Sequence, residues 1–317
     1  MGLQEDYKEE GMGMEKKTIT VVQNDGFKTA VTACLVDGEP KASIVVFHGM
    51  AEHHLRYLDF AEFMTSNGYD VYLYDHRGHG KDVKLEELGF IAEKDGDRLL
   101  YTDAINITKE IRSQARGGKF FLFGHSMGSF ICRIVIQEVD DIDGAVICGT
   151  NYPDALTKSG GGMVTGIVKA FKGAHHVSPF INKMMFENKE YLSVSTRTVM
   201  DWLSRDNNVV GAYINDPYCG FVCTASFYCD LIGLIKRAGK SKMQLKTRKD
   251  LPMFFIAGDH DPVGGFGKQV EALVKFYEKN GYTAVSKKIY EGARHELLNE
   301  TNKKEVYDDI LNWYNER

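Results

Sequence analysis

Phe120-Phe121-Leu122-Phe123-Gly124-His125-Ser126-Met127-Gly128 is the stretch on which the reading of this chain turns. Its first four residues form a short apolar run, as expected of a strand buried on both faces. The next five read G-x-S-x-G, and Phe130–Val139 then reads as an apolar helix. In that strand–turn–helix setting the serine sits on a sharp, strained turn that pushes its hydroxyl outward. Gly124 and Gly128 remove side chains that would collide where strand and helix pass closely. The helix N-terminus directs free N–H groups toward any negative charge formed beside Ser126. Ser126 is therefore the candidate nucleophile, and the alternative is a chance turn.

Outward from this point the chain alternates strands and helices. Thr18–Gln23 and Thr29–Leu35 read as a hairpin about Asn24-Asp25-Gly26. Strands are expected at 43–47, 71–74, 145–148, 253–257 and 285–290, besides 120–123. Helices are expected where apolar residues recur at helical spacing: Tyr57-Phe60-Ala61-Met64, Leu100-Ala104-Ile107-Ile111, Val270-Leu273-Val274-Tyr277 and Val306-Ile310-Trp313. Gly281 closes the third of these. Repeated β-α-β units predict an α/β protein with a mostly parallel, eight-stranded sheet flanked by helices. The rhythm stops at Asn151 and resumes near 251. The expected organisation is a loose leader over 1–15, a core over 16–150 and 251–317, and an inserted helical lid over 151–250. Within that insertion two apolar helical stretches stand out, and Gly160-Gly161-Gly162 could be a hinge or a plain loop.

A serine hydroxyl is a weak nucleophile at neutral pH and needs a base. Behind a G-x-S-x-G turn the order is serine, acid, histidine. Of the ten histidines only His295 lies beyond the strand 253–257 and its loop, just after the last strand. The acid belongs to the loop after the preceding strand, Gly258-Asp259-His260-Asp261-Pro262. Asp261 is preferred, four residues past the strand, to hold the tautomer of His295. Asp259 is expected to satisfy backbone donors in the turn. Negative charge on a carbonyl oxygen needs two N–H donors. Met127 follows the serine, and Met50 lies in the loop His48-Gly49-Met50-Ala51-Glu52-His53 after the strand 43–47. His48 is expected to brace that loop.

Composition sets the outer limits. The 317 residues are 43% hydrophobic and 26% charged, ordinary globular usage that excludes disorder, collagen and coiled coil. The formal net charge is −5, which leaves no cationic excess to hold nucleic acid. No apolar run approaches the roughly 18 residues of a membrane span. The N-terminus lacks a signal-peptide pattern, so a cytoplasmic location is expected. Six cysteines are expected to be reduced thiols, and Cys219-x3-Cys223-x5-Cys229 matches no familiar zinc spacing. Neither a metal nor a cofactor is expected.

With these residues in hand, the sequence resembles the α/β-hydrolase superfamily. It is most similar to the monoacylglycerol lipase and lysophospholipase group, of the serine aminopeptidase S33 type. The resemblance covers most of residues 18–317. It rests on His48–His53, Arg56-Tyr57, Asp75-His76-Arg77-Gly78-His79-Gly80, Gly124–Gly128, Gly258–Asp261, Arg294-His295-Glu296 and Asp201–Asp206. It implies a triad of Ser126, Asp261 and His295, with oxyanion donors at Met50 and Met127. Two positions depart from the pattern: Ala51 stands where the group often has a second glycine, and Asp82 where it often has serine.

These readings together imply a serine hydrolase of carboxylic esters, acting on acyl lipids such as a monoacylglycerol or lysophospholipid. A small-ester carboxylesterase, an acyltransferase and a non-enzymatic binding protein are the alternatives. Met163, Ile167, Met184 and Met185 could line an acyl-chain pocket, or pack the lid's own core. The expected partner is a small ester, with no nucleic acid, and the lid would allow transient contact with a membrane surface.

Overall fold

The computed structural model describes residues 15–152 and 161–317. The expected leader lies outside them except for Glu15, which begins the first strand. Strands β1 (Glu15–Val22) and β2 (Lys28–Leu35) form the antiparallel hairpin, with Ile19 opposite Val31. Its turn needs a left-handed residue, supplied by Gly26 at φ 84°, and the Phe27 N–H donates to Asp25 Oδ1 at 3.1 Å.

The remaining strands are β3 (Ala42–Phe47), β4 (Tyr69–Tyr74), β5 (Lys119–His125), β6 (Gly144–Cys148), β7 (Met253–Gly258) and β8 (Val285–Tyr290). They make one eight-stranded sheet in the order β1-β2-β4-β3-β5-β6-β7-β8. β2 runs antiparallel to β4, and every pair from β4 to β8 is parallel. β3 and β4 are buried along their whole length, which explains the apolar runs Ile44–Phe47 and Val71–Tyr74 within them. Alternate residues serve opposite faces: Val45 and Phe47 join one core, Ile44 and Val46 the other.

Helices α1 (Leu58–Ser66) and α11 (Lys303–Asn315) cover one face through Phe60, Met64, Ile310 and Trp313. On the other face lie α2 (Gly96–Gln114), α3 (Met127–Val135) and α10 (Lys268–Lys279). α3 starts three residues earlier than the apolar run suggested, directly after Ser126.

Between β6 and β7 the described residues hold six helices rather than two: α4 (Gly161–Lys172), α5 (Pro179–Phe186), α6 (Lys189–Val194), α7 (Asn207–Asn215), α8 (Ala225–Gly239) and α9 (Ser241–Gln244). Four are started by polar caps. Ser178, Asn188, Asp206 and Thr224 accept hydrogen bonds from the N–H groups of Ile181, Glu190, Asn208 and Phe227. Caps of this kind begin short helices that apolar periodicity does not reveal. Gly161 and Gly162 open α4, so they are not a plain loop, while Gly160 lies outside the described residues. α8 packs Phe227, Leu231, Leu234 and Ile235 into the main core, as the crossover helix between two parallel strands must. The expected lid over 151–250 therefore includes a helix that belongs to the core. Residues 179–222 form an excursion whose base is closed by an antiparallel bridge between Val177 and Thr224. The Ser178 N–H donates to the Cys223 carbonyl at 3.1 Å beside it.

Candidate active site

The turn from β5 into α3 places Ser126 at φ 54°, ψ −119°, a conformation costly for any residue with a side chain. Its surroundings leave no room to relax. A Cβ on Gly128 would fall on the Phe47 carbonyl oxygen, and one on Gly124 would lie 2.6 Å from Cys132 Cβ. Glycine at both positions is thus a packing requirement of the turn. Met127 is the first residue of α3, where a helix leaves its N–H without an internal partner.

His295 follows β8, buried to 2% exposure, and Asp261 follows β7, fully buried. His295 Nδ1 and Asp261 Oδ2 are 3.0 Å apart. The other Asp261 oxygen accepts the Val263 N–H at 2.8 Å, which holds the carboxylate in place. His295 Nε2 is buried without a hydrogen-bond partner. Ser126, His295, Met50 and Met127 line one cavity. Contrary to the expectation from sequence, the Asp259 side chain accepts no hydrogen bond from the turn's backbone. It pairs with the ring of its exposed neighbour His260 at 2.6 Å, because the turn points it toward solvent.

A charged network joins the loops that meet here. Glu52 Oε1 accepts hydrogen bonds from the Gly49 N–H, the Tyr57 hydroxyl and His125 Nδ1. Arg56 bridges Glu52 Oε2 at 2.6 Å and both Glu296 oxygens at 2.6–2.7 Å. Burial pushes the Glu52 carboxyl up, but Arg56 and His125 outweigh it and hold it well below its ordinary range. Burial likewise disfavours a charged His125, yet the Glu52 carboxylate raises its pKa overall. His125 Nε2 meets the His295 carbonyl at 3.3 Å, so both ring nitrogens face acceptors. The loop after β3, the serine turn and the His295 loop are thus held by one set of alternating charges. Gly49 makes room for it, since a Cβ there would lie 2.6 Å from Glu52 Oε1.

His48 braces the same loop. Its Nδ1–H donates to the Gly49 carbonyl at 2.7 Å while Nε2 accepts the His76 N–H at 2.9 Å. Burial holds its pKa down, which suits a neutral ring with one donor and one acceptor nitrogen.

The walls of the cavity come largely from the excursion between β6 and α8: Met185, Phe186, Tyr191, Met200, Trp202 and Tyr213. Of the four apolar residues expected there, only Met185 lines it. Met163 and Ile167 lie on the outer side of α4, 73% and 50% exposed, and Met184 packs partly buried on the main core. Tyr191, Trp202 and Tyr213 carry no such signal in the sequence, because they sit on short helices and loops without apolar periodicity. Trp202 is fixed beside His295, with ring centroids 5.1 Å apart, and its carbonyl accepts the His295 N–H at 3.3 Å.

The sheet order, the helices on both faces and the serine on the turn between β5 and α3 define an α/β-hydrolase fold. Within that class the chain belongs to the family described as serine aminopeptidase S33, which matches residues 38–302. It is 30% identical to the monoacylglycerol lipase of Mycolicibacterium smegmatis, over 87% of this chain and 89% of that one. It is 25% identical to the human monoglyceride lipase, over 88% and 84%. A thermostable carboxyl esterase from Bacillus coagulans, solved with glycerol, superposes with a TM-score of 0.85. That esterase is 25% identical, and the match covers 96% of this chain and 99% of the other.

Proposed function

We propose that this protein is a serine hydrolase that cleaves carboxylic esters of acyl lipids, with a monoacylglycerol or lysophospholipid as substrate class. The observation that carries the proposal is an apolar-walled cavity lined by Ser126 and by a His295 whose far nitrogen is held by Asp261 at 3.0 Å. Ser126 Oγ attacks the ester carbonyl while His295 Nε2 takes its proton. Asp261 keeps the imidazole in the tautomer that leaves Nε2 free and stabilises the imidazolium that follows. The N–H groups of Met50 and Met127 meet the carbonyl oxygen as it gains charge, worth roughly 3–4 kcal/mol for each such donor. His295 then protonates the departing alcohol, and water repeats the sequence on the acyl-enzyme. The lipase names of the relatives and the aromatic and methionine walls support a long acyl group over a polar substrate.

In this reading the excursion over 179–222, with α4 before it, acts as the lid. α4 exposes Met163, Ile167 and Phe171 beside Lys172, a surface suited to brief contact with lipid. Among the described residues no helix is long and apolar enough to cross a membrane. Six free cysteines fit a reducing compartment, so a cytoplasmic location is part of the proposal.

The test compares wild type with Ser126→Ala on p-nitrophenyl esters and a 1-monoacylglycerol. Loss of turnover by about 10⁴-fold or more is expected from removing a nucleophile of this kind. A fluorophosphonate probe should label wild type at Ser126 and leave the variant unmodified. Equal turnover in the two proteins would sink the proposal. A preference for acetate would reassign the substrate to small esters.

A further inference from the structure

At the rim of the cavity, where the loop after β3 meets the excursion, three side chains of metal-binding type converge. A ring nitrogen of His53, a carboxylate oxygen of Asp216 and Sγ of Cys219 lie within 4.8 Å of one another. His53 ends the loop that carries Met50, while Asp216 caps the C-terminal end of α7 and Cys219 follows three residues later. His53 and Cys219 are buried and the Asp216 side chain is 29% exposed, which leaves an entry path from solvent. The backbone holds the two segments together without help from these side chains. The Gly220 N–H and the Tyr213 hydroxyl both donate to the Ala51 carbonyl, each at 2.9 Å. Asp216 Oδ1 is fixed by the Tyr218 N–H at 2.8 Å, which turns Oδ2 toward His53 Nε2 at 2.9 Å. His53 Nδ1 is buried with no hydrogen-bond partner. One imidazole, one carboxylate and one thiolate form a ligand set that suits zinc, with a fourth position left to water.

We propose that His53, Asp216 and Cys219 bind a thiophilic divalent cation of the zinc type, which staples the Met50 loop to the excursion. On binding, the Cys219 thiol loses its proton to solvent and the Asp216 carboxylate coordinates as it stands. Neutral His53 gives a lone pair from one ring nitrogen and keeps its proton on the other. The sequence does not display the site, because no histidine lies near Cys219 along the chain and its spacing to Cys223 and Cys229 matches no familiar zinc pattern. Its partners come instead from residue 216 and from a loop 163 positions earlier than 216. None of the three ligands is Ser126, Asp261 or His295, and none lines their cavity, so the ion takes no part in their chemistry. Binding is therefore independent of whether the protein cleaves esters.

The test uses the full chain. Cadmium is titrated while the ultraviolet cadmium–thiolate absorption is followed, and zinc binding is measured by equilibrium dialysis. Wild type, Cys219→Ser, Asp216→Asn and Cys229→Ser are compared, each first shown to be folded by circular dichroism. His53→Gln replaces any of the first two variants that fails to fold. One equivalent of metal and a thiolate band are expected in wild type and in Cys229→Ser, with a rise in melting temperature. Cys219→Ser should lose the band, and both it and Asp216→Asn should bind zinc at least about tenfold more weakly. Absence of binding in wild type overturns the proposal, as does unchanged affinity in Cys219→Ser or Asp216→Asn.

Discussion

Ala51 occupies a position that most residues avoid. Its φ of 52° is left-handed, and its carbonyl receives two hydrogen bonds from the excursion. The family often has glycine here, and the backbone explains why. A left-handed alanine costs about 1–2 kcal/mol relative to its ordinary conformation. Ala51→Gly is therefore expected to raise stability by up to about 1 kcal/mol, part of the gain being lost to the looser unfolded chain. Urea unfolding of the two proteins measures this, and a lower midpoint for the variant would contradict it. Individual site residues were legible to very different degrees. Ser126 and His295 announce themselves because the strands that position them adjoin them in sequence. Asp261 is separable from Asp259 by its distance from β7 and by Pro262 after it. The Arg56 link was invisible as a link, since Arg56 and Glu296 stand 240 residues apart although both belong to quoted motifs.

Among the elements, the packing of α8 on α2 carries a titratable group with no obvious task. Asp230 lies against the N-terminal end of α2, and one of its oxygens has no hydrogen-bond partner. Burial pushes its carboxyl up to about 7, against the backbone N–H groups of Asp97 and Gly96. The nearby Asp97 charge pushes the same way as burial. A carboxyl raised in the folded state favours folding when protonated. Its stabilising share is whole below about pH 4 and is lost as pH rises through 7. The shift corresponds to at most about 4 kcal/mol. Asp230→Asn should remove that slope, so the variant gains on wild type between pH 5 and pH 8 in urea unfolding. Parallel stability profiles would show that the group does not titrate in this range. The strands themselves were easy to read, because aromatic and β-branched runs mark a sheet buried on both faces. The helices between β6 and α8 were not. Of these, α5, α6 and α7 are only 8, 6 and 9 residues long and begin at polar caps rather than at an apolar repeat.

The whole molecule is a sheet between two large cores, with a third and smaller one in the excursion. Tyr191, Val194, Trp202, Leu203 and Tyr213 make up most of that third core, and four of the five also line the cavity. One cluster thus both stabilises the excursion and, in the proposed function, forms the wall against which an acyl chain would lie. Each methylene buried in such a cavity is worth roughly 0.8 kcal/mol. The ester series should therefore show kcat/KM rising by about fourfold per carbon until the cavity is full. A flat profile would mean that the acyl chain lies outside it.

The bridge between Val177 and Thr224 has a consequence for how such a molecule can diversify. Because the strand-like contact clips the excursion at its root, the sheet does not register how many residues lie beyond the clip. Doubling a flexible loop adds only about 0.6 kcal/mol of closure cost. Inheritance could therefore trade one set of walls for another, longer or shorter, while the machinery beneath kept its geometry. The same root offers a natural suture for grafting foreign walls onto this core.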